Sequence, residues 1–280
     1  MPRSAYHQIL GLEVHVTEWG DPAAPPVVLW HGLARTGRDF DDLATALSDR
    51  FRLICPDTPG RGLSQWSAAP EAEYCMAHYA AVATALLDAL GVGRCDWLGT
   101  SMGGALGIAV AAGTLRGRIR RLALNDIGPT LPLPAFERIR DYIGQPPDFA
   151  TISEFETYLR QIYAPFGAHT EAQWRHMAET SARRLANGRI TSHYDPAIVR
   201  QFTDHPRDFE QWGAYDALAL PCLVLRGATS DVLEAAVAAE MGRRGPAAEV
   251  VTVSGCGHAP ALNVTGQIAL VRVFLERAGG

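Results

Sequence analysis

Ser101 lies at the centre of the segment Gly99-Thr100-Ser101-Met102-Gly103, which has a glycine two positions away on either side of the serine. The apolar run at 95–98 and the small apolar residues at 105–112 predict a strand, a tight turn and a helix. Such a turn lifts a hydroxyl clear of a sheet edge on a strained backbone, and it needs neighbours without side chains. The following helix would direct unpaired N–H groups towards an oxyanion beside Ser101. Taken alone, the segment is equally consistent with a nucleophilic serine and with a glycine-rich structural turn.

A nucleophilic serine also needs a base and a carboxylate that orients the base. His258 follows the last predicted strand, residues 248–253, and Asp231 follows the strand at 222–225. Open parallel sheets gather the carboxyl ends of their strands at one edge, where ligands bind. Asp126 also leaves a strand, so it stays open as the carboxylate. We prefer Asp231 and expect Asp126 to accept hydrogen bonds from loop amides.

The elements that must position these residues alternate between strands and helices. Residues 6–10 and 12–18 predict an antiparallel hairpin, and the apolar runs after it predict strands buried on both faces. Helical patterns at 76–90 and 263–277 are among those that separate or follow the strands. This alternation predicts a parallel sheet with helices on both faces.

The pattern changes between residues 129 and 215. Strand patterns disappear, and helices are predicted at 135–143, 153–163 and 171–187, with Gly188 as a helix stop. More than half of the chain's aromatic residues lie in this segment. They could form the core of a small helical subdomain or line an apolar pocket above Ser101. Both interpretations are kept, with Tyr158 and Trp174 as the candidates for a lining role.

Four motifs together resemble the α/β-hydrolase family over the whole chain. They are His31-Gly32, Gly99-Thr100-Ser101-Met102-Gly103-Gly104, Arg226-Gly227-x-x-Ser230-Asp231 and Gly257-His258, each at a predicted strand exit. The resemblance implies an α/β fold with a mostly parallel eight-stranded sheet flanked by helices. The core domain would comprise residues 1–128 and 216–280, and residues 129–215 would be an inserted helical lid.

The resemblance also implies roles for individual residues. Ser101 would be the nucleophile, His258 the general base and Asp231 the orienting acid. The backbone N–H groups of Leu33 and Met102 would form the oxyanion hole.

Several other polar residues are expected to have structural roles. His31 is expected to support the loop that turns towards the nucleophile. The predicted loop that holds Asp57, Gly60, Gly62 and Ser64 is expected to be rigid.

The expected reaction is hydrolysis of a carboxylic ester through an acyl-enzyme, without cofactor or metal. Similar motifs occur in enol-lactone hydrolases, in carbon–carbon bond hydrolases of aromatic ring-cleavage products and in cofactor-free perhydrolases. Some proteins of this fold are slow ligand receptors. The motifs do not separate these alternatives, because the lid would set the substrate.

Composition limits the partners of the chain. A net charge of -5 over 280 residues and a pI near 6.0 argue against nucleic acid or an anionic membrane surface. The five cysteines are scattered along the chain, which predicts buried reduced thiols and not a disulfide framework. Cys256 is expected to be a packing residue. No secretion signal or membrane-spanning run is recognised, so a cytoplasmic protein with a small-molecule ester or lactone substrate is expected. The oligomeric state stays open.

Overall fold

A computed structural model describes residues 2–277, and it is built around an eight-stranded sheet. Within these residues the strands are β1 (Arg3–Ile9), β2 (Leu12–Trp19), β3 (Pro26–Trp30), β4 (Arg52–Pro56), β5 (Cys95–Thr100), β6 (Ile119–Asn125), β7 (Asp148–Phe149), β8 (Ala182–Arg184), β9 (Ile190–Ser192), β10 (Cys222–Gly227) and β11 (Glu249–Val253). The large sheet has the order β1-β2-β4-β3-β5-β6-β10-β11. The predicted fold class is confirmed.

Helices connect most of these strands. In the same part of the chain they are α1 (Asp41–Leu47), α2 (Pro70–Glu73), α3 (Met76–Ala89), α4 (Met102–Ala112), α5 (Leu133–Ile143), α6 (Ile152–Ile162), α7 (Glu171–Ser181), α8 (Arg200–Thr203), α9 (Trp212–Asp216), α10 (Ala235–Met241) and α11 (Thr265–Glu276).

The predicted hairpin is β1–β2, which pairs antiparallel from Arg3 with Glu18 to Ile9 with Leu12. Strand β2 also pairs antiparallel with β4, and the remaining pairs of the large sheet are parallel. β5, which leads into Ser101, lies between β3 and β6, and five of its six residues are buried. Separate apolar clusters cover the two faces of the sheet, as expected for strands that alternate with helices.

The segment between β6 and β10 differs from the prediction, because it contains a three-stranded antiparallel sheet, β7-β9-β8. The helix predicted at 171–187 ends at Ser181, where the chain enters β8. Gly188 adopts a φ of 83° in the turn between β8 and β9 and does not end a helix. Pairing with β9 outweighs the helical preference of residues 182–187.

The helix α7 begins at a local sequence signal for a helix N-terminus, the motif Thr170-x-x-Gln173. Thr170 and Gln173 form a reciprocal capping box, in which each side chain accepts a hydrogen bond from the other residue's backbone N–H. No helix in residues 2–277 combines the length and apolar character needed to cross a bilayer.

Candidate active site

Ser101 occupies the predicted turn between β5 and α4. Its φ is 52°, a strained value for a residue with a side chain. A Cβ atom at Gly99 would overlap the Gly103 carbonyl, and one at Gly103 would overlap the carbonyl of Trp30. Both glycines are therefore required by close backbone approach, as predicted.

His258 lies in the loop after β11 and reaches Ser101 across the end of the sheet. The distance from its Nε2 to the Ser101 Oγ is 3.0 Å. Its other ring nitrogen, Nδ1, is 2.8 Å from Oδ2 of Asp126. If Nδ1 carries the proton and donates to the carboxylate, Nε2 has a free lone pair and accepts from the serine hydroxyl.

Asp126, and not Asp231, is the carboxylate that contacts His258, so the preference for Asp231 was wrong. Asp126 follows directly after β6, the neighbour of β5, and it is completely buried. Oδ1 accepts from the Gly227 N–H at 2.7 Å, and Oδ2 also accepts from the Ser230 hydroxyl at 2.6 Å. These donors compensate a buried carboxylate and fix its orientation towards the ring.

Asp231 lies at the solvent-exposed rim of the site. Its side chain is 61% exposed and forms an ion pair with Arg138 of α5, with 2.5 Å between Nη2 and Oδ2. It stands four residues beyond the end of β10, so the loop carries it away from the sheet edge. The motif contributes through its preceding residue, because Ser230 donates to Asp126.

Leu33 and Met102, whose N–H groups are predicted to bind an oxyanion, border the same small cavity as Ser101. Met102 is the first residue of α4, where a backbone N–H has no partner within the helix. Among residues 2–277, neither it nor the Leu33 N–H donates to another protein group. The loop after β3 that holds Gly32 and Leu33 lies close to Ser101, since a Cβ atom built at Gly32 would be 3.7 Å from the Ser101 Cβ.

Two buried arginines hold the loop after β3 in place, and the sequence motifs include neither of them. Arg61 is fully buried and donates to the Leu33 carbonyl at 2.9 Å and to the Tyr79 hydroxyl at 2.7 Å. Arg35 is 4% exposed and forms two hydrogen bonds with Asp39. An arginine in a loop sequence does not reveal that it will be buried, so no sequence signal identified either one.

His31 has the structural role that was expected. Its Nδ1 donates to the Gly32 carbonyl at 2.7 Å, and its Nε2 accepts from the Thr58 N–H at 2.9 Å. Complete burial lowers the pKa of His31 to about 4, so the ring is neutral near pH 7. The neutral ring ties the loop after β3 to the loop after β4.

The cleft beside Ser101 has a volume of about 180 Å³. Its walls come from the core and from α5 and the end of α6; they include Arg138, Tyr142, Ile162, Tyr163 and Phe166. A smaller apolar cavity of about 20 Å³ continues from Ser101 between Ile127, Leu131, Ile139, Phe202, Phe209 and Val232. Aromatic side chains of residues 129–215 therefore do line the site.

Tyr158 and Trp174, which were predicted to line the pocket, are not among the residues that border either cavity. Trp174 is 8% exposed and packs with Phe155 and Leu159 in the core of the inserted segment, and Tyr158 packs against this cluster. The apolar stripes of α6 and α7 face each other, so these two rings stabilise the segment itself.

The five cysteines are free and buried, as expected. Burial raises the pKa of the Cys256 thiol, so this thiol stays protonated at neutral pH. Among residues 2–277, no three His, Cys, Asp or Glu side chains are grouped so that they could hold a metal ion.

Comparison with known proteins finds relatives along nearly the whole chain. The family model described as alpha/beta hydrolase fold matches residues 25–263. A 3-hydroxybutyrate-oligomer hydrolase of Cupriavidus necator is 40% identical over 99% of this chain and 94% of the relative. A pimeloyl-[acyl-carrier protein] methyl ester esterase of Xanthomonas campestris is 28% identical over 88% of this chain and 92% of its own length.

A solved structure extends this likeness to three dimensions. The crystal structure of an alpha/beta hydrolase from Novosphingobium aromaticivorans covers 99% of both chains with a TM-score of 0.87 and 36% identity. The fold, the matched family model and these relatives agree with one another, and the chain belongs to the alpha/beta hydrolase family.

Proposed function

We propose that this protein is a serine hydrolase that cleaves carboxylic esters through an acyl-enzyme. The observation that carries the proposal is the hydrogen-bonded chain from Ser101 through His258 to Asp126, with distances of 3.0 and 2.8 Å. Ser101 is the nucleophile, His258 the general base and Asp126 the acid that orients it. The strained turn at Ser101 and the burial of Asp126 support these roles.

The reaction follows from the positions of these groups. The Ser101 oxygen attacks the ester carbonyl while Nε2 of His258 takes its proton. The negative charge that develops on the carbonyl oxygen is stabilised by the N–H groups of Met102 and Leu33. His258 then protonates the departing alcohol and later activates the water that releases the acid.

We further propose that the substrates are esters of short hydroxy acids, such as linear oligomers of 3-hydroxybutyrate. The relative with 40% identity carries that activity in its name. The apolar cavity beside Ser101 is small, about 20 Å³, which suits a short branched chain. Arg138, which lines the cleft in its ion pair with Asp231, can also donate to the terminal carboxylate of such an oligomer.

Residues 129–215 would act as a lid in this proposal. Their contribution of Arg138, Tyr142 and Tyr163 to the cleft wall supports a role in substrate selection. Tyr163 packs under the guanidinium of Arg35, 4.7 Å from its Cζ, so this wall is anchored to the core.

The test is a substrate panel assayed with the wild type and with Ser101→Ala. The panel holds 3-hydroxybutyrate dimers and trimers, p-nitrophenyl esters of increasing chain length, an enol lactone and an aromatic ring-cleavage product. We expect the highest kcat/KM for the short hydroxy-acid esters and no turnover with Ser101→Ala. Undiminished turnover by that variant would show that Ser101 is not the nucleophile. A clear preference for the ring-cleavage product would show that the protein is a carbon–carbon bond hydrolase and not an esterase.

A further inference from the structure

A second hydrogen-bonded Ser–His–Asp chain lies at the β1–β2 edge of the sheet. The Ser4 hydroxyl on β1 is 2.7 Å from Nε2 of His15 on β2. The other ring nitrogen of His15, Nδ1, is 2.8 Å from Oδ2 of Asp57, which follows β4. The atoms are connected in the same order as in the chain formed by Ser101, His258 and Asp126.

The carboxylate of this second chain is held as firmly as that of the first. Asp57 is 2% exposed and accepts hydrogen bonds from the backbone N–H groups of Gly37 at 2.8 Å and Leu63 at 3.0 Å. Burial alone would raise its pKa, but the hydrogen bonds from His15 and from the Leu63 N–H help to outweigh it, and the pKa lies below its usual value. The ionised carboxylate selects the His15 tautomer with hydrogen on Nδ1, so Nε2 accepts the Ser4 proton.

Ser4, His15 and Asp57 border a cavity of about 580 Å³. This cavity has no lining residue in common with the cleft or the apolar cavity at Ser101. Ser4 is exposed, whereas His15 is 2% exposed. A small ester that enters this cavity would meet a hydroxyl whose proton is already hydrogen-bonded to a buried base.

The same cavity offers a donor for a developing negative charge. Arg183 lines the cavity, is exposed and stacks over the Trp66 ring, 4.0 Å from the ring centroid. His193 also lines it and is 4% exposed; its Nδ1 accepts from the Gly62 N–H at 2.7 Å, so its hydrogen is on Nε2, which is itself buried and has no partner among the described residues. The architecture at Ser101 does not require the Arg183 guanidinium.

We propose that Ser4 is a second nucleophile, activated by His15, that takes the acyl group of a small carboxylic ester, with Arg183 as a donor to the oxyanion. The Ser4 oxygen attacks the carbonyl carbon and forms the new C–O bond, and its proton moves to Nε2 of His15. The tetrahedral intermediate collapses, the bond to the alcohol oxygen breaks, and His15 returns the proton to the departing alcohol. The products are acyl-Ser4 and the free alcohol, and no other reactant is needed.

The experiment uses the full chain with Ser101→Ala, in which the first nucleophile is absent, and p-nitrophenyl acetate as the probe. Acetylation is followed by intact mass and located by tandem mass spectrometry. The chain contains no lysine, which removes the usual competing amines, and trypsin cleavage after Arg3 separates Ser4 from residue 1. We expect stoichiometric acetylation of Ser4. The label should disappear in Ser101→Ala/Ser4→Ala and persist in Ser101→Ala/Ser153→Ala, which removes an exposed serine of α6.

Two further variants separate activation from simple exposure. Ser101→Ala/His15→Gln should lose the label, because glutamine cannot take the proton. Because His15 is buried, its replacement could also disturb the packing of the sheet. Arg183 is exposed, so Arg183→Ala leaves that packing intact, and it should slow acetylation at least ~10-fold. An unlabelled Ser4 in Ser101→Ala, or labelling at an unchanged rate in either further variant, would overturn the proposal. These readouts do not depend on Ser101, so they are separate from the test of the proposed function.

Discussion

Replacement of Asp126 by asparagine is the change with the largest expected effect outside the nucleophile and base. Asp126 is completely buried, and its Oδ2 accepts from Nδ1 of His258 at 2.8 Å. In Asp126→Asn the amide oxygen remains the acceptor for the Gly227 N–H, which turns the NH₂ group towards His258. The ring then needs a lone pair on Nδ1 and carries its hydrogen on Nε2, where it cannot accept the Ser101 proton.

The size of this effect follows from the loss of the correct tautomer. In serine hydrolases, replacement of the orienting aspartate by asparagine lowers kcat by about 10⁴-fold with the geometry preserved. At ~1.4 kcal/mol per factor of ten, this corresponds to about 5 kcal/mol of transition-state stabilisation. The shape of the side chain hardly changes, so KM for a small neutral ester should stay within a few-fold of the wild type.

Asp231→Asn is the matched control, because it makes the same chemical change in the other candidate carboxylate. Asp231 is 61% exposed and pairs only with Arg138, so kcat for p-nitrophenyl butyrate should fall less than about threefold. The assay is steady-state hydrolysis at pH 7.5, with thermal unfolding of each variant to verify folding. Equal small losses, or a larger loss in Asp231→Asn, would refute the assignment of Asp126.

Three further predictions concern specificity and stability. Arg138→Ala should raise KM for 3-hydroxybutyrate dimers, which carry a carboxylate, but not for neutral p-nitrophenyl esters; equal changes would contradict its role. Phe209→Leu enlarges the apolar cavity and should shift the preferred acyl chain to greater length. Trp174→Phe should lower the melting temperature and leave the chain-length preference unchanged. The opposite pattern would show that Trp174 lines the site. Burial lowers the pKa of His31 to about 4 and that of His193 to about 3, so below pH 6.5 the unfolded chain binds more protons than the folded one. The free energy of unfolding in urea should therefore decrease as the pH falls from 6.5 towards 4, by up to ~1.4 kcal/mol per pH unit for each histidine, and a constant value would contradict their neutral burial.

Local patterns were sufficient for the core of the fold. Short apolar runs separated by helical patterns predicted the parallel sheet, and the glycines around Ser101 predicted its turn. These signals depend on residues close together in the chain, where periodicity and steric demand operate directly. The same is true of the capping box at Thr170.

The choice of carboxylate depended on which strand lies beside β5, and local sequence patterns do not encode that neighbour. Asp126 and Asp231 both follow strands, and only the arrangement of β6 beside β5, with Asp126 one residue past the strand end, brings the first to His258. The number of residues between each aspartate and the end of its strand was a signal for the correct choice. Asp231 lies four positions beyond β10, so its loop had room to turn away from His258. Ser230 donates a hydrogen bond to Asp126, so the motif Arg226-Gly227-x-x-Ser230-Asp231 did point to a site residue, although the role predicted for Asp231 was wrong.

The inserted segment was the least predictable part. β8 forms because residues 182–184 pair with β9, a contact that local propensity does not encode. Tyr158 and Trp174 were chosen as aromatic residues of the segment, but which face of α6 and α7 meets the cleft is decided by packing of the whole segment. The buried arginines Arg35 and Arg61 could not be recognised for the same reason.

Ester hydrolysis through an acyl-enzyme requires Ser101 to carry the acyl group. An acid quench of the wild-type enzyme within the first turnovers of p-nitrophenyl butyrate, followed by peptide mapping, detects this group. We expect a burst of p-nitrophenol of about one equivalent and a butyryl group on Ser101. Steady turnover with no acyl group on Ser101 at any quench time would contradict this role of Ser101.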